Sequence, residues 1–66
     1  MKIYVNDKPV ELPDNCSLTE MLDAVGETKA GTAIAVNDAV VPAAKWDSLS
    51  LKEGDKVLLI KAAYGG

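Results

Sequence analysis

Lys56-Val57-Leu58-Leu59-Ile60-Lys61 is the stretch whose reading decides the fold. Its four consecutive apolar residues leave neither face polar, which is how a strand in the middle of a sheet reads. Glu53-Gly54-Asp55, just before it, is a turn. Residues 43 to 50 read as irregular, with Trp46 as an apolar anchor and a satellite of the core. Further back, Thr32-Ala33-Ile34-Ala35-Val36-Asn37 alternates as a strand, Asn37-Asp38 turns, and Val40-Val41 returns. Pro42 limits that return to an edge or a short pairing. The helix precedes this pair. Ser17 can cap it, and Glu20 three residues later completes a capping box. Leu18, Met21, Leu22 and Val25 share one stripe. Gly26 suits the left-handed position at a helix end. At the front, Ile3 and Val5 alternate with Tyr4, Asn6-Asp7-Lys8-Pro9 has turn composition, and Val10 and Leu12 form a return strand. The expectation is an α+β fold in ββαββ order, with one mixed sheet packed against one helix and the last strand central.

The composition excludes much. With 66 residues the chain has room for one small domain, expected to span residues 1–66. A hydrophobic content of 48% is too high for a disordered chain. There is no histidine, so no Ser-His-Asp or Cys-His nucleophile system can be built. The single Cys16 supports neither a disulfide framework nor a multi-thiolate zinc site. A net charge of −3 lacks the basic footprint of a nucleic-acid binder. The opening Met-Lys-Ile-Tyr-Val-Asn-Asp brings charges too early for a signal-peptide core. No stretch approaches the ~18 apolar residues of a membrane span. The expectation is a cytoplasmic carrier or partner protein, with no catalytic residue and no metal of its own.

The sequence ends Tyr64-Gly65-Gly66. A Gly-Gly end can thread a channel in which any side chain would clash. An α-carboxyl is ionised at neutral pH, so it can attack a phosphoryl centre, but it is a poor acyl donor until activated. Terminal glycines alone decide nothing, because termini commonly fray. Combined with the element order, they make the whole chain resemble the ubiquitin-like β-grasp sulfur carriers, and most closely the ThiS family. The resemblance rests on Ile3-Tyr4-Val5-Asn6, on Ala35-Val36-Asn37-Asp38-Ala39-Val40-Val41-Pro42 followed by Trp46, on Leu51-Lys52-Glu53-Gly54-Asp55-Lys56-Val57, and on Gly65-Gly66. The family often has arginine after Val-Val-Pro, where this chain has Ala43, and Tyr64 is not a typical residue before the glycines. Molybdopterin-synthase small subunits are also similar. They are usually longer and carry a paired proline ahead of Gly-Gly.

The resemblance implies a mechanism. Gly66 would be adenylated by an E1-like adenylyltransferase of the ThiF type, which consumes ATP. A sulfur donor such as a cysteine desulfurase would then supply the sulfur of a thiocarboxylate. A ThiG-type thiazole synthase would receive it for the thiazole ring of thiamine. Gly65 and Tyr64 would thread partner active sites as part of a flexible tail. The protein would bind no cofactor itself and act as a monomer in transient complexes. The alternatives are a molybdopterin-synthase-type small subunit and a β-grasp interaction module with an incidental tail.

Strand alternation supplies a partner surface. With Ile3, Val5, Val57 and Leu59 toward the helix, Tyr4, Leu58 and Ile60 form an apolar group on the opposite sheet face. Such groups often mark interaction sites, although a slip of one residue would reverse every side chain. Cys16 sits just before the helix cap. It reads as a packing residue, with a sulfur-relay role as the other reading. Glu20, Asp23 and Glu27 read as a solvated face or, alternatively, a docking patch for a basic partner. Asp55 is expected to serve its turn.

Overall fold

Two copies of the tripeptide Val-Asn-Asp set both hairpins. In the computed structural model, which describes residues 1–61, Asn6 and Asp7 have φ of 50° and 68°, and Asn37 and Asp38 have 49° and 70°. Positive φ at both central residues gives the two-residue turn whose twist matches that of the flanking strands. Asn and Asp accept this conformation at lower cost than other non-glycine residues. The first turn joins β1 (Lys2–Val5) to β2 (Lys8–Glu11), and the second joins β3 (Thr32–Val36) to β4 (Ala39–Val41). The first turn is thus shorter than the expected Asn6-Asp7-Lys8-Pro9. Lys8 and Pro9 belong to β2, with Pro9 opposite Tyr4. Val5 and Lys8 close the turn as a bonded pair, so Tyr4 and Pro9 fall on a non-bonded rung. The N–H that proline lacks would have faced away from the sheet.

The strands form one sheet in the order β2-β1-β5-β3-β4, with β5 (Lys56–Lys61) at its centre. β1 and β5 run parallel, and the other pairs are antiparallel. The expected mixed sheet with a central last strand is therefore present. Ala39–Val41 counts as a strand in its own right, so the full element order is ββαβββ, one strand more than ββαββ. It lies at the edge, where Pro42 confines it.

Helix α1 spans Leu18–Ala24, about two turns, too short to persist without packing. The Ser17 hydroxyl accepts from the Glu20 N–H at 3.1 Å, and Glu20 Oε1 accepts from the Ser17 N–H at 3.0 Å. At the other end Gly26 takes φ 76°. Its N–H donates to Asp23 O and that of Glu27 to Leu22 O, which together close the helix. Leu18, Met21 and Leu22 are buried and Val25 is partly so. They pack with Ile3, Val5, Ile34, Leu51 and Val57.

The segment after β4 is more ordered than expected. Ala43–Lys45 form a 3-10 turn. Trp46, at 2% exposure, belongs to the main core rather than to a satellite. Its indole N–H donates to Val41 O at 2.8 Å, which satisfies the polar end of a buried ring. Asp55 serves its turn by accepting from the Lys52 N–H at 2.8 Å, and it also accepts from Asn37 Nδ2 at 3.0 Å.

Candidate functional site

Among the described residues, the sheet has one face covered by the helix and one left open. Along β5, Val57 is buried and Leu59 packs against the core, whereas Leu58 and Ile60 are 50% and 51% exposed. On β1, Ile3 and Val5 are buried and Tyr4 is half-buried. The register expected from alternation is the one found. Tyr4, Leu58 and Ile60 share the open face and line one shallow concavity.

Two residues extend this group beyond the sequence reading. Val40 pairs with Ala35, and Ala35 pairs with Leu58, so Val40, Ala35 and Leu58 form a row across three strands on the open face. Val40 is 76% exposed. The next row, Val41, Ile34 and Leu59, packs inward. The signal for Val40 was present in the Val40-Val41 alternation, since one of two adjacent strand residues must face outward. Lys56 joins the concavity from opposite Tyr4, and Asp7 and Asp38 border it from the hairpin turns. The surface is therefore an apolar centre with charged groups at one end. It has no convergent set of acids, bases or nucleophiles. Among the described residues no three His, Cys, Asp or Glu side chains are placed to hold a metal. Likewise no helix there is long and apolar enough to cross a membrane.

Tyr64, Gly65 and Gly66, the residues read as the working end, lie outside the described residues. They follow β5, which carries Leu58 and Ile60, so the open face and the Gly-Gly end belong to one continuous segment.

Comparison with protein families matches residues 2–66 to the ThiS family. The chain belongs to the ThiS family. A curated member, "Sulfur carrier protein ThiS" of Escherichia coli (strain K12), is 30% identical over 66 residues, covering all of both chains. The crystal structure of the thiamine biosynthesis protein (ThiS) from Geobacter metallireducens superposes with a TM-score of 0.85 at 28% identity, again over the whole of both chains. The fold is thus the β-grasp arrangement expected from the ThiS resemblance.

Cys16 is buried in the core. Desolvation first, and the nearby Glu20 carboxylate second, push its thiol above the ordinary range. A suppressed thiolate is the opposite of what a sulfur relay needs, so the packing reading holds. Of the three carboxylates read as one face, Glu20 serves the cap, Asp23 is exposed, and Glu27, beyond the end of the helix, pairs with Lys61. Asp47 accepts a hydrogen bond from the Thr19 hydroxyl and lies 3.6 Å from Lys29 Nζ. These hold its carboxyl below the usual range, the hydroxyl contributing most.

Proposed function

We propose that the chain is a sulfur carrier in thiamine biosynthesis and that its working group is the carboxylate of Gly66. The observation that carries this reading is the family match, which runs over residues 2–66 and so includes Gly65-Gly66. The described residues supply no catalytic constellation, and a carrier whose chemistry is performed by partners needs none.

The steps follow from carboxylate chemistry. A ThiF-type adenylyltransferase brings the Gly66 carboxylate to the α-phosphorus of ATP. One carboxylate oxygen bonds to phosphorus and pyrophosphate leaves. The resulting acyl adenylate has the leaving group that a bare carboxylate lacks. A hydrosulfide then attacks the carbonyl carbon and expels AMP, giving a thiocarboxylate. With a persulfide from a cysteine desulfurase, the terminal sulfur expels AMP, and a thiol then cleaves the S–S bond of the acyl disulfide. A ThiG-type thiazole synthase receives the sulfur for the thiazole ring. ATP is consumed by the partner, and no cofactor resides on the carrier.

Gly65 and Gly66 suit passage through a narrow channel because neither has a Cβ. Tyr64 enters behind them. The open sheet face, with Tyr4, Leu58 and Ile60, gives partners a grip on the segment that leads to the reacting end. The carrier works as a cytoplasmic monomer in transient complexes. The test is ATP–pyrophosphate exchange catalysed by the activating enzyme. Exchange is expected with the full chain and not with a chain lacking Gly66. Equal exchange with both would refute the assignment of Gly66.

A further inference from the structure

The two Val-Asn-Asp turns have a second role. Asn6 and Asn37 each place a side-chain amide on the backbone of β5, from opposite sides. On the β1 side, the parallel ladder runs through Tyr4 N–H to Asp55 O and Asn6 N–H to Val57 O, both at 2.9 Å. The next rung would pair the Leu59 N–H with a backbone oxygen of residue 6, but the chain has already turned away. Asn6 Oδ1 takes that place, accepting from the Leu59 N–H at 2.9 Å, and Asn6 Nδ2 faces Leu59 O at 3.4 Å. The amide thus stands in for one peptide unit of a longer β1. On the β3 side, Asn37 N–H donates to Lys56 O at 2.8 Å, and Asn37 Oδ1 accepts from the Lys56 N–H at 3.0 Å.

The two clamps sit at different places along β5. Asn37 holds its first residue. Asn6 holds Leu59, where no β1 residue remains to pair; after it, Ile60 and Lys61 are paired with β3 alone. Lys61 is also held toward the helix by Glu27. Among the described residues, Asn6 is therefore the last support of β5 on the β1 side.

We infer that Asn6 is a positioning residue for the modification of Gly66. Its amide fixes the direction and register of β5 at Leu59, between the exposed Leu58 and Ile60, so that a partner acting on Gly66 meets those two side chains in a constant arrangement. The inference rests on the carrier reading above. Small misplacement at a reacting complex is costly to rate, and Leu59 lies between Leu58 and Ile60, with Asn6 itself bordering the concavity that Tyr4, Leu58 and Ile60 line. Loss of the clamp should lower kcat/KM.

The test uses Asn6→Gly, which keeps the positive φ of the turn and deletes both side-chain bonds. Asn6→Asp restores the acceptor for Leu59. Ser17→Ala serves as a control that weakens the fold at the start of the helix, through loss of the cap bond to Glu20. Pyrophosphate release by the activating enzyme is followed with the carrier as varied substrate, and amide exchange is read at Leu59. For Asn6→Gly the expected results are a roughly fivefold to tenfold faster Leu59 exchange relative to Ile34 and a kcat/KM lower by a similar factor. Asn6→Asp is expected to recover most of the kcat/KM, and Ser17→Ala to leave it unaltered. An unchanged kcat/KM in Asn6→Gly, an equal loss in Ser17→Ala, no recovery in Asn6→Asp, or unaltered Leu59 exchange would each overturn the inference. If the wild-type chain is not adenylated at all, the carrier reading fails instead, and the exchange data still judge the clamp.

Discussion

Replacing Leu58 and Ile60 together by lysine separates a docking surface from a core surface. Each side chain is about half exposed on the face opposite the helix. Fully burying a Leu or Ile side chain is worth about 1.5–3 kcal/mol. Covering the exposed half on docking therefore contributes about 1 kcal/mol per residue, or about 2 kcal/mol for the pair. That corresponds to roughly 30-fold in Kd, since each 1.4 kcal/mol is tenfold. Stability should respond less, because exposed substitutions usually stay within about 0.5 kcal/mol each, or about 1 kcal/mol for the pair. For a domain of this size that bounds the Tm change at roughly 4–8 °C. The contrast is Val57→Lys, one position before Leu58 but buried against the helix. It places an unpaired charge in the core and should unfold the chain. Isothermal titration with the activating enzyme and thermal melts of the same samples give both numbers. Unaltered affinity in the double variant would refute the docking role. A Tm loss like that of Val57→Lys would refute the assignment of the open face.

Ser17→Ala removes the helix cap and should cost about 1 kcal/mol, a Tm loss of roughly 4–8 °C in a thermal melt. Trp46→Phe leaves Val41 O without the indole donor, and denaturant titration should show a loss of about 1–3 kcal/mol. Cys16 should react slowly with a thiol reagent at neutral pH in the native chain and quickly in denaturant, because burial holds the thiol protonated. The sign for stability follows. The native state favours the neutral thiol, so the stabilisation is complete below the ordinary thiol pKa and is lost as pH rises through the raised value. Melts taken across the alkaline range should show that decline, and Cys16→Ala should lack it.

The helix was legible because its signals are local. Ser17, Glu20 and the Leu18-Met21-Leu22-Val25 stripe lie within nine positions, and Gly26 marks the end. The central position of β5 was legible from apolarity on both faces, and the open face followed from strict alternation on β1 and β5. What was missed depends on distant partners. Nothing near Asn6 points to Leu59, 53 positions away, and the clamp exists only because β1 lies parallel beside β5. The turn composition of Asn6-Asp7-Lys8-Pro9 concealed that Asn-Asp alone completes the reversal and that an edge strand accepts Pro9. Trp46 reads as a satellite in sequence because its neighbours are small or polar, yet the 3-10 turn aims it into the core beneath β4. The reacting end was legible only through the resemblance carried by Gly65-Gly66 together with the rest of the chain.

The claim that Gly66 carries sulfur is tested most directly by intact mass. The chain is incubated with ATP, the activating enzyme and a sulfide source, and fragmentation then locates any change. The account predicts the mass gain of one oxygen replaced by sulfur, confined to Gly66 and absent from a chain lacking that residue. An unchanged mass with an active cognate enzyme, or the same gain in the truncated chain, would contradict it.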